Sequence, residues 1–125
     1  MIYGIGTDVV EVERIEASLT RFGDGFARRI LSEREWQGYA QSHTKARFLA
    51  KRFAAKEAFS KALGTGLRGS VTLQNIAVAH DDLGKPVFDL APELLAFLAE
   101  RGIRCQHLSI SDEKALAVAF VVLER

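Results

Sequence analysis

Residues 52–66, Arg52-Phe-Ala-Ala-Lys-Glu-Ala-Phe-Ser-Lys-Ala-Leu-Gly-Thr-Gly66, decide how the rest of the chain is read. The run reads as the second half of a helix spanning Lys45 to Leu63, closed by Gly64 in the C-cap role. It carries a carboxylate and an ammonium one turn apart, Glu57 and Lys61. Projected at about 100° per residue, these two share a face with Ala50 and Ala54, small enough for a strand to come close. Phe48, Ala55, Phe59 and Ala62 fall nearly opposite and are expected in the core.

Outward from this helix the chain alternates in type. Ile2 to Val10 is β-branched and glycine-punctuated, a strand expected to end near Asp8. In Glu11 to Phe22, Val12, Ile15, Leu19 and Phe22 recur at helical spacing. Gly23-Asp-Gly25 breaks that helix, a short helical piece follows over Phe26–Leu31, and Ser32-Glu-Arg-Glu35 reads as a capping box opening another. Val71–Ala79 and Pro86–Leu90 read as strands joined through Asp81-Asp-Leu-Gly84. Pro92 sits in the first turn of a helix ended by Gly102. Gln106–Ser111 and Ala115–Leu123 form a last strand pair around Asp112-Glu-Lys114. The expected fold is α+β, one domain over residues 1–125, with a long central helix packed on antiparallel strands.

Composition narrows the class. At 125 residues, 48% apolar and 26% charged, the chain fits one soluble domain. Its single cysteine, Cys105, excludes an internal disulfide and a thiolate zinc site, and suits a reducing cytoplasm. Neither a signal peptide nor an apolar run of roughly 18 residues is visible, so no membrane role is expected. Net charge is only +1, yet residues 45–61 set Lys45, Arg47, Lys51, Arg52, Lys56 and Lys61 against Glu57 alone. That excess favours an anionic ligand or partner.

Asp8 and Glu57, with Lys61 and the Gly64-Thr-Gly66 loop, make a parts list for a magnesium–diphosphate site. Magnesium is held by one or two carboxylates plus phosphate oxygens and water. Each part also has an ordinary reading. Glu57 and Lys61 could be a surface pair worth about 0.2–0.5 kcal/mol, Asp8 a turn residue, and Gly64 only a cap. The loop is neither a Walker loop nor a dinucleotide fingerprint. His43, His80 and His107 lack metal-ligand spacing.

Several segments resemble the bacterial holo-acyl-carrier-protein synthases, the short type of 4′-phosphopantetheinyl transferase. They are Ile2-Tyr-Gly-Ile-Gly-Thr-Asp-Val-Val-Glu11, Glu13-Arg-Ile15, Phe48 to Gly66, Gly84-Lys-Pro86 and His107-Leu-Ser-Ile-Ser111, in the family's order across the chain. The resemblance implies transfer of the phosphopantetheine arm of coenzyme A to a serine of an apo acyl carrier protein, releasing adenosine 3′,5′-bisphosphate, in support of fatty acid biosynthesis. It implies Asp8 and Glu57 as magnesium ligands and Lys61 as the catalytic lysine beside the diphosphate. The serine proton would pass to Glu57 directly or through a metal-bound water. Phe48, Arg52, Lys61, Gly64 and Gly66 would contact coenzyme A. A homotrimer with sites shared between subunits is also implied, Arg52 serving its neighbour's site. Many members carry histidine where this chain has Asp112, so a nucleotide contact is not carried over to that position.

An acidic carrier needs a basic, partly apolar docking surface. Arg14 and Arg21 share a face of the first helix with Ser18. With Phe22 beside them and Arg28 beyond the glycine break, they form the expected carrier-docking surface. Two other classes compete. A nucleic-acid binder would use the basic segment, but its cations surround the helix and include Glu57. A silent coenzyme A sensor would not need Asp8, Glu57 and Lys61 together.

Overall fold

The central element is α4 (Lys45–Leu63), which is buried on nearly every side. The computed structural model describes all residues, Met1–Arg125. A three-stranded antiparallel sheet in the order β1-β5-β4 covers one side of α4, built from β1 (Ile2–Glu11), β4 (Cys105–Asp112) and β5 (Leu116–Glu124). A separate antiparallel hairpin, β2 (Ile76–His80) and β3 (Pro86–Leu90), closes another. The helices α1 (Val12–Phe22), α2 (Asp24–Ile30), α3 (Glu33–Gln41) and α5 (Pro92–Glu100) complete the shell. One apolar cluster joins both sheets to α4, with Leu49, Phe59, Ile76, Leu94, Leu98 and Leu123 at its centre. Full burial of a side chain of that size is worth about 1.5–3 kcal/mol.

Why β1 and α4 pack so tightly is written in two glycines. Gly4 and Gly6 face the helix, and a Cβ on either would stand 2.0 Å from a helix carbonyl oxygen, that of Ala62 or Ala58. Only hydrogen fits there. The sheet floor is equally small or flat, with Ala117, Ala119, Val121 and Leu123 fully buried along β5. Strand alternation then carries Asp8 to the same inward side as Gly4 and Gly6.

The long helix, the β3 strand, the capping box and the left-handed Gly64 cap (φ 82°) follow the sequence expectation. Several boundaries differ; α2, for one, opens at Asp24, so only Gly23 separates it from α1. β1 does not stop near Asp8 but continues to Glu11, because Val9, Val10 and Glu11 pair with Val118, Ala117 and Leu116. The expected strand from Val71 shrinks to Ile76–His80, because the stretch before Ile76 is a turn in which the Asn75 and Ile76 N–H groups bond back to the Thr72 carbonyl. Asp112 belongs to β4, paired with Ala117, and the turn begins at Glu113.

Candidate active site

Asp8, distant in sequence, comes together with Glu57 and Lys61 where β1 passes α4. Lys61 Nζ donates to the Asp8 carboxylate at 3.0 Å and to the Thr7 carbonyl at 3.1 Å. The Lys61 side chain is still half exposed, whereas Asp8 is 17% exposed. Glu57 is half-buried, and burial first, then the Asp8 charge, push its carboxyl above the ordinary range against the opposing pull of Lys61. Lys61 thus pairs with Asp8, while Glu57 faces the same cleft without an ion-pair partner, a perturbed carboxyl of the kind that marks functional sites.

Asp8 and Glu57 open into a cleft of about 510 Å³ between β1, α1 and α4. Phe26, Phe53 and Ile15 form its apolar wall, and Arg14 and Ser18 of α1 reach its rim. Arg14 and Arg21 make no ion pair, so the acids around them on α1 leave their charge available. Phe22 is 52% exposed, with the Arg21 guanidinium 5.1 Å from its ring. Arg28 is placed differently. It stacks at 3.8 Å on Trp36 and borders another cleft with Ser32 and Gln74.

The glycine loop carries left-handed backbone at Gly64 and Gly66. Gly64 lines a second cleft of about 450 Å³ with Thr65, Arg68 and Arg101, so two further arginines face the loop. On the other side of Lys61, a third cleft of about 320 Å³ is lined by Ile5, Thr7 and Phe120. It opens at the free edge of β1, which pairs only with β5.

Most of the basic excess is engaged within the fold. Lys45 donates to the Ala40 and Ser42 carbonyls, and Arg47 holds Asp112 at 3.0 Å and the Lys114 carbonyl at 2.8 Å. Asp112 is therefore a clamp between the β4–β5 turn and α4. Arg52, expected to serve a neighbouring subunit, is 8% exposed and engaged within its own chain. Its Nε donates to Glu35 at 3.0 Å, and its guanidinium lies 3.8 Å over Phe48.

Sequence reasoning missed Lys56 and Glu35. Lys56 is fully buried and bonded to Glu35, itself 4% exposed. The available signal was spacing, since Arg52, Lys56, Phe59 and Leu63 lie on one helical stripe whose apolar members are core. Glu35 had already been given a complete role as a capping residue, which hid its second one.

The same architecture occurs in characterised relatives. The sequence profile of the 4′-phosphopantetheinyl transferase superfamily matches residues 4–121. A holo-[acyl-carrier-protein] synthase of Nitrosomonas eutropha is 59% identical over 125 residues, covering all of both chains. The crystal structure of holo-[acyl-carrier-protein] synthase from Neisseria meningitidis superposes with a TM-score of 0.97 at 51% identity, again over the whole of both chains. The Helicobacter pylori holo-[acyl-carrier-protein] synthase in complex with coenzyme A gives a TM-score of 0.83 at 32% identity, covering 96% of this chain and 99% of that one. Matched in sequence and in fold along its whole length, this chain belongs to the 4′-phosphopantetheinyl transferase superfamily, in its holo-[acyl-carrier-protein] synthase branch.

Proposed function

We propose that this chain transfers the 4′-phosphopantetheine group of coenzyme A to a serine hydroxyl of an apo acyl carrier protein, releasing adenosine 3′,5′-bisphosphate, in the cytoplasm and in support of fatty acid biosynthesis. The carrying observation is the convergence of Asp8, Glu57 and Lys61 where β1 passes α4: Asp8 and Glu57 line one cleft, and Lys61 is held 3.0 Å from Asp8 at its side. The serine oxygen attacks the β-phosphorus, the bond from that phosphorus to the bridging oxygen breaks, and the bisphosphate leaves with the electron pair. Glu57 accepts the serine proton, directly or through water, from its place in the cleft beside Asp8. Lys61, steadied by the Thr7 carbonyl, places its charge where the leaving oxygen becomes anionic.

The donor set at this cleft fits magnesium. Asp8 and Glu57 are hard oxygen donors, and although Glu11 also lines the cleft, no three such side chains are grouped closely enough to ligate one ion. That leaves coordination positions for phosphate and water, as a magnesium ion requires. When bound, magnesium supplies positive charge to the diphosphate. Coenzyme A is assigned to Phe48, Arg52, Lys61, Gly64 and Gly66. The two clefts beside Lys61 and the glycine loop support this, whereas Arg52 has only the edge of its guanidinium left uncommitted. Arg14, Arg21 and Phe22 receive the carrier, with Arg28 at the margin.

Assembly is read as a homotrimer with shared sites. The outer face of the sheet exposes Ile5 (59%), Val9 (57%), Phe120 (45%) and Leu116 (37%). An apolar patch of this kind marks an interaction surface, and a closed cyclic assembly would cover it. Its margin reaches Lys61 through the cleft that Ile5 and Phe120 line. The test is formation of adenosine 3′,5′-bisphosphate from coenzyme A, followed by chromatography. Product should appear only when apo carrier and magnesium are both supplied. Its absence under those conditions, or its appearance without carrier, would refute the proposal.

A further inference from the structure

A buried ionic hub sits directly behind the candidate site. Glu35 accepts four hydrogen bonds, two on each carboxylate oxygen. Oε1 takes the Ser32 N–H at 2.9 Å and Lys56 Nζ at 2.6 Å, while Oε2 takes Arg52 Nε at 3.0 Å and the Val78 N–H at 3.1 Å. Lys56 Nζ spends its other two protons on the Ile30 carbonyl at 2.6 Å and the Leu73 carbonyl at 2.9 Å. Every acceptor site of the carboxylate and every proton of the ammonium is used. The hub therefore ties together the end of α2, the start of α3, the turn before β2, β2 itself and the middle of α4.

Such a hub is not the cheapest way to stabilise a core. Breaking a buried ion pair is costly, but replacing the whole of it with apolar groups is often neutral or better. What directional hydrogen bonds add is a defined arrangement, and α4 has few other means to obtain one: Leu49 and Phe59 in the core and the Arg47–Asp112 clamp near its start. Its buried surface is dominated by Ala46, Ala50, Ala54, Ala55, Ala58 and Ala62, and Gly4 and Gly6 face it from β1. Contacts between alanines and glycines offer few knobs and holes to resist sliding or rotation. Lys56 immediately precedes Glu57, and Lys61 follows five residues later on the same rigid helix. Holding Lys56 at a fixed height and azimuth consequently holds Glu57 and Lys61 against Asp8.

We propose that Glu35 and Lys56 are positioning residues for the transfer reaction, setting the axial position and rotation of α4 so that Glu57 and Lys61 meet Asp8 across the cleft. This rests on the reading of Glu57 and Lys61 as functional groups. Neither Glu35 nor Lys56 lines the cleft that holds Asp8 and Glu57. Loss of Lys56, which bonds to no residue assigned to substrate, should therefore act on the chemical step and leave substrate affinity nearly unchanged, whereas loss of Glu35 also frees Arg52.

The test compares Glu35→Gln, which keeps the shape, and Lys56→Met, which leaves Glu35 still bonded to Arg52, Ser32 and Val78. Each is assayed well below its melting midpoint, with the folded state verified by circular dichroism. In both, kcat should fall about tenfold or more, the scale of a displacement of about 1 Å at a reacting group. KM for carrier should stay within about twofold in both, and so should KM for coenzyme A in Lys56→Met, which keeps the Glu35–Arg52 bond, as expected when only transition-state interactions are lost. A folded Glu35→Gln variant with wild-type kcat would overturn the proposal, as would a Lys56→Met loss carried by KM. Failure of both variants to fold would make the hub a folding element instead. Glu57→Gln, run alongside, tests the underlying reading separately, since its full activity would remove Glu57 from the site whatever the hub does.

Discussion

Gly6 of β1 lies against Ala58 of α4 so closely that a methyl group on Gly6 would stand 2.0 Å from the Ala58 carbonyl oxygen. The obstacle is backbone and cannot swing aside. Gly6→Ala should destabilise the fold by about 1–3 kcal/mol, the usual cost of overpacking, read as a lowered denaturation midpoint. Because Asp8 is carried on the same strand, transfer activity should fall further than the unfolded fraction explains. A variant of wild-type stability would mean that strand and helix are not packed this closely.

Glu57 should trade stability for function. Its carboxyl is raised from 4.5 by burial and by Asp8, so the folded protein holds this proton more tightly than the unfolded chain does. Stability from this group is full below 4.5 and is lost as pH rises through the folded value. At neutral pH the ionised side chain therefore opposes folding. Glu57→Gln should raise the melting temperature at pH 7 to 8 in metal-free buffer, lose the advantage in acid, and show almost no transfer. Thermal melts across pH, paired with an activity assay, check both halves.

Carrier docking should depend on α1 more than on α2. Arg14 and Arg21 make no ion pair, whereas Arg28 is stacked on Trp36 and borders a different cleft from Glu57. Reversing Arg14 and Arg21 to glutamate should slow carrier association, most strongly at low salt, while coenzyme A affinity stays nearly constant. Arg28→Glu should have the smaller effect. Stopped-flow association at two ionic strengths separates these outcomes.

The outer sheet face offers a test of assembly. Phe120→Glu places a charge in the exposed patch shared with Ile5 and Val9 and should leave the core intact, because Phe120 points away from α4. Light scattering should then report a smaller species, with transfer activity reduced in parallel. An unchanged assembly would move the subunit interface elsewhere.

Much of this architecture was legible in the chain. Lys45 to Leu63 reads as a helix because it is rich in helix formers and ends at a glycine, and the hairpin at Asp81–Gly84 is local turn chemistry. Asp8, Glu57 and Lys61 were identifiable as a set through their motifs, although their meeting is a tertiary fact. What stayed hidden has a common cause. A side chain's partner can lie far away in sequence, so Lys56 reads as a surface cation until Glu35 and the Ile30 and Leu73 carbonyls surround it. The partners of Arg47 and Arg52, Asp112 and Glu35, are hidden for the same reason. The glycines of the 64–66 loop drew attention as ligand contacts, while Gly4 and Gly6 read only as punctuation in a strand. Their close fit to a helix backbone becomes visible only when the two elements are packed.

The central claim is that this chain loads a carrier serine through Asp8, Glu57 and Lys61. Intact-protein mass spectrometry of an apo acyl carrier protein tests it most directly, after incubation with coenzyme A, magnesium and either the wild-type chain or Lys61→Ala. With the wild type the carrier serine should gain one phosphopantetheine, and with Lys61→Ala the loaded fraction at early times should be much smaller even at saturating carrier. An unmodified carrier with the wild type, or equal initial loading by both proteins, would contradict the claim.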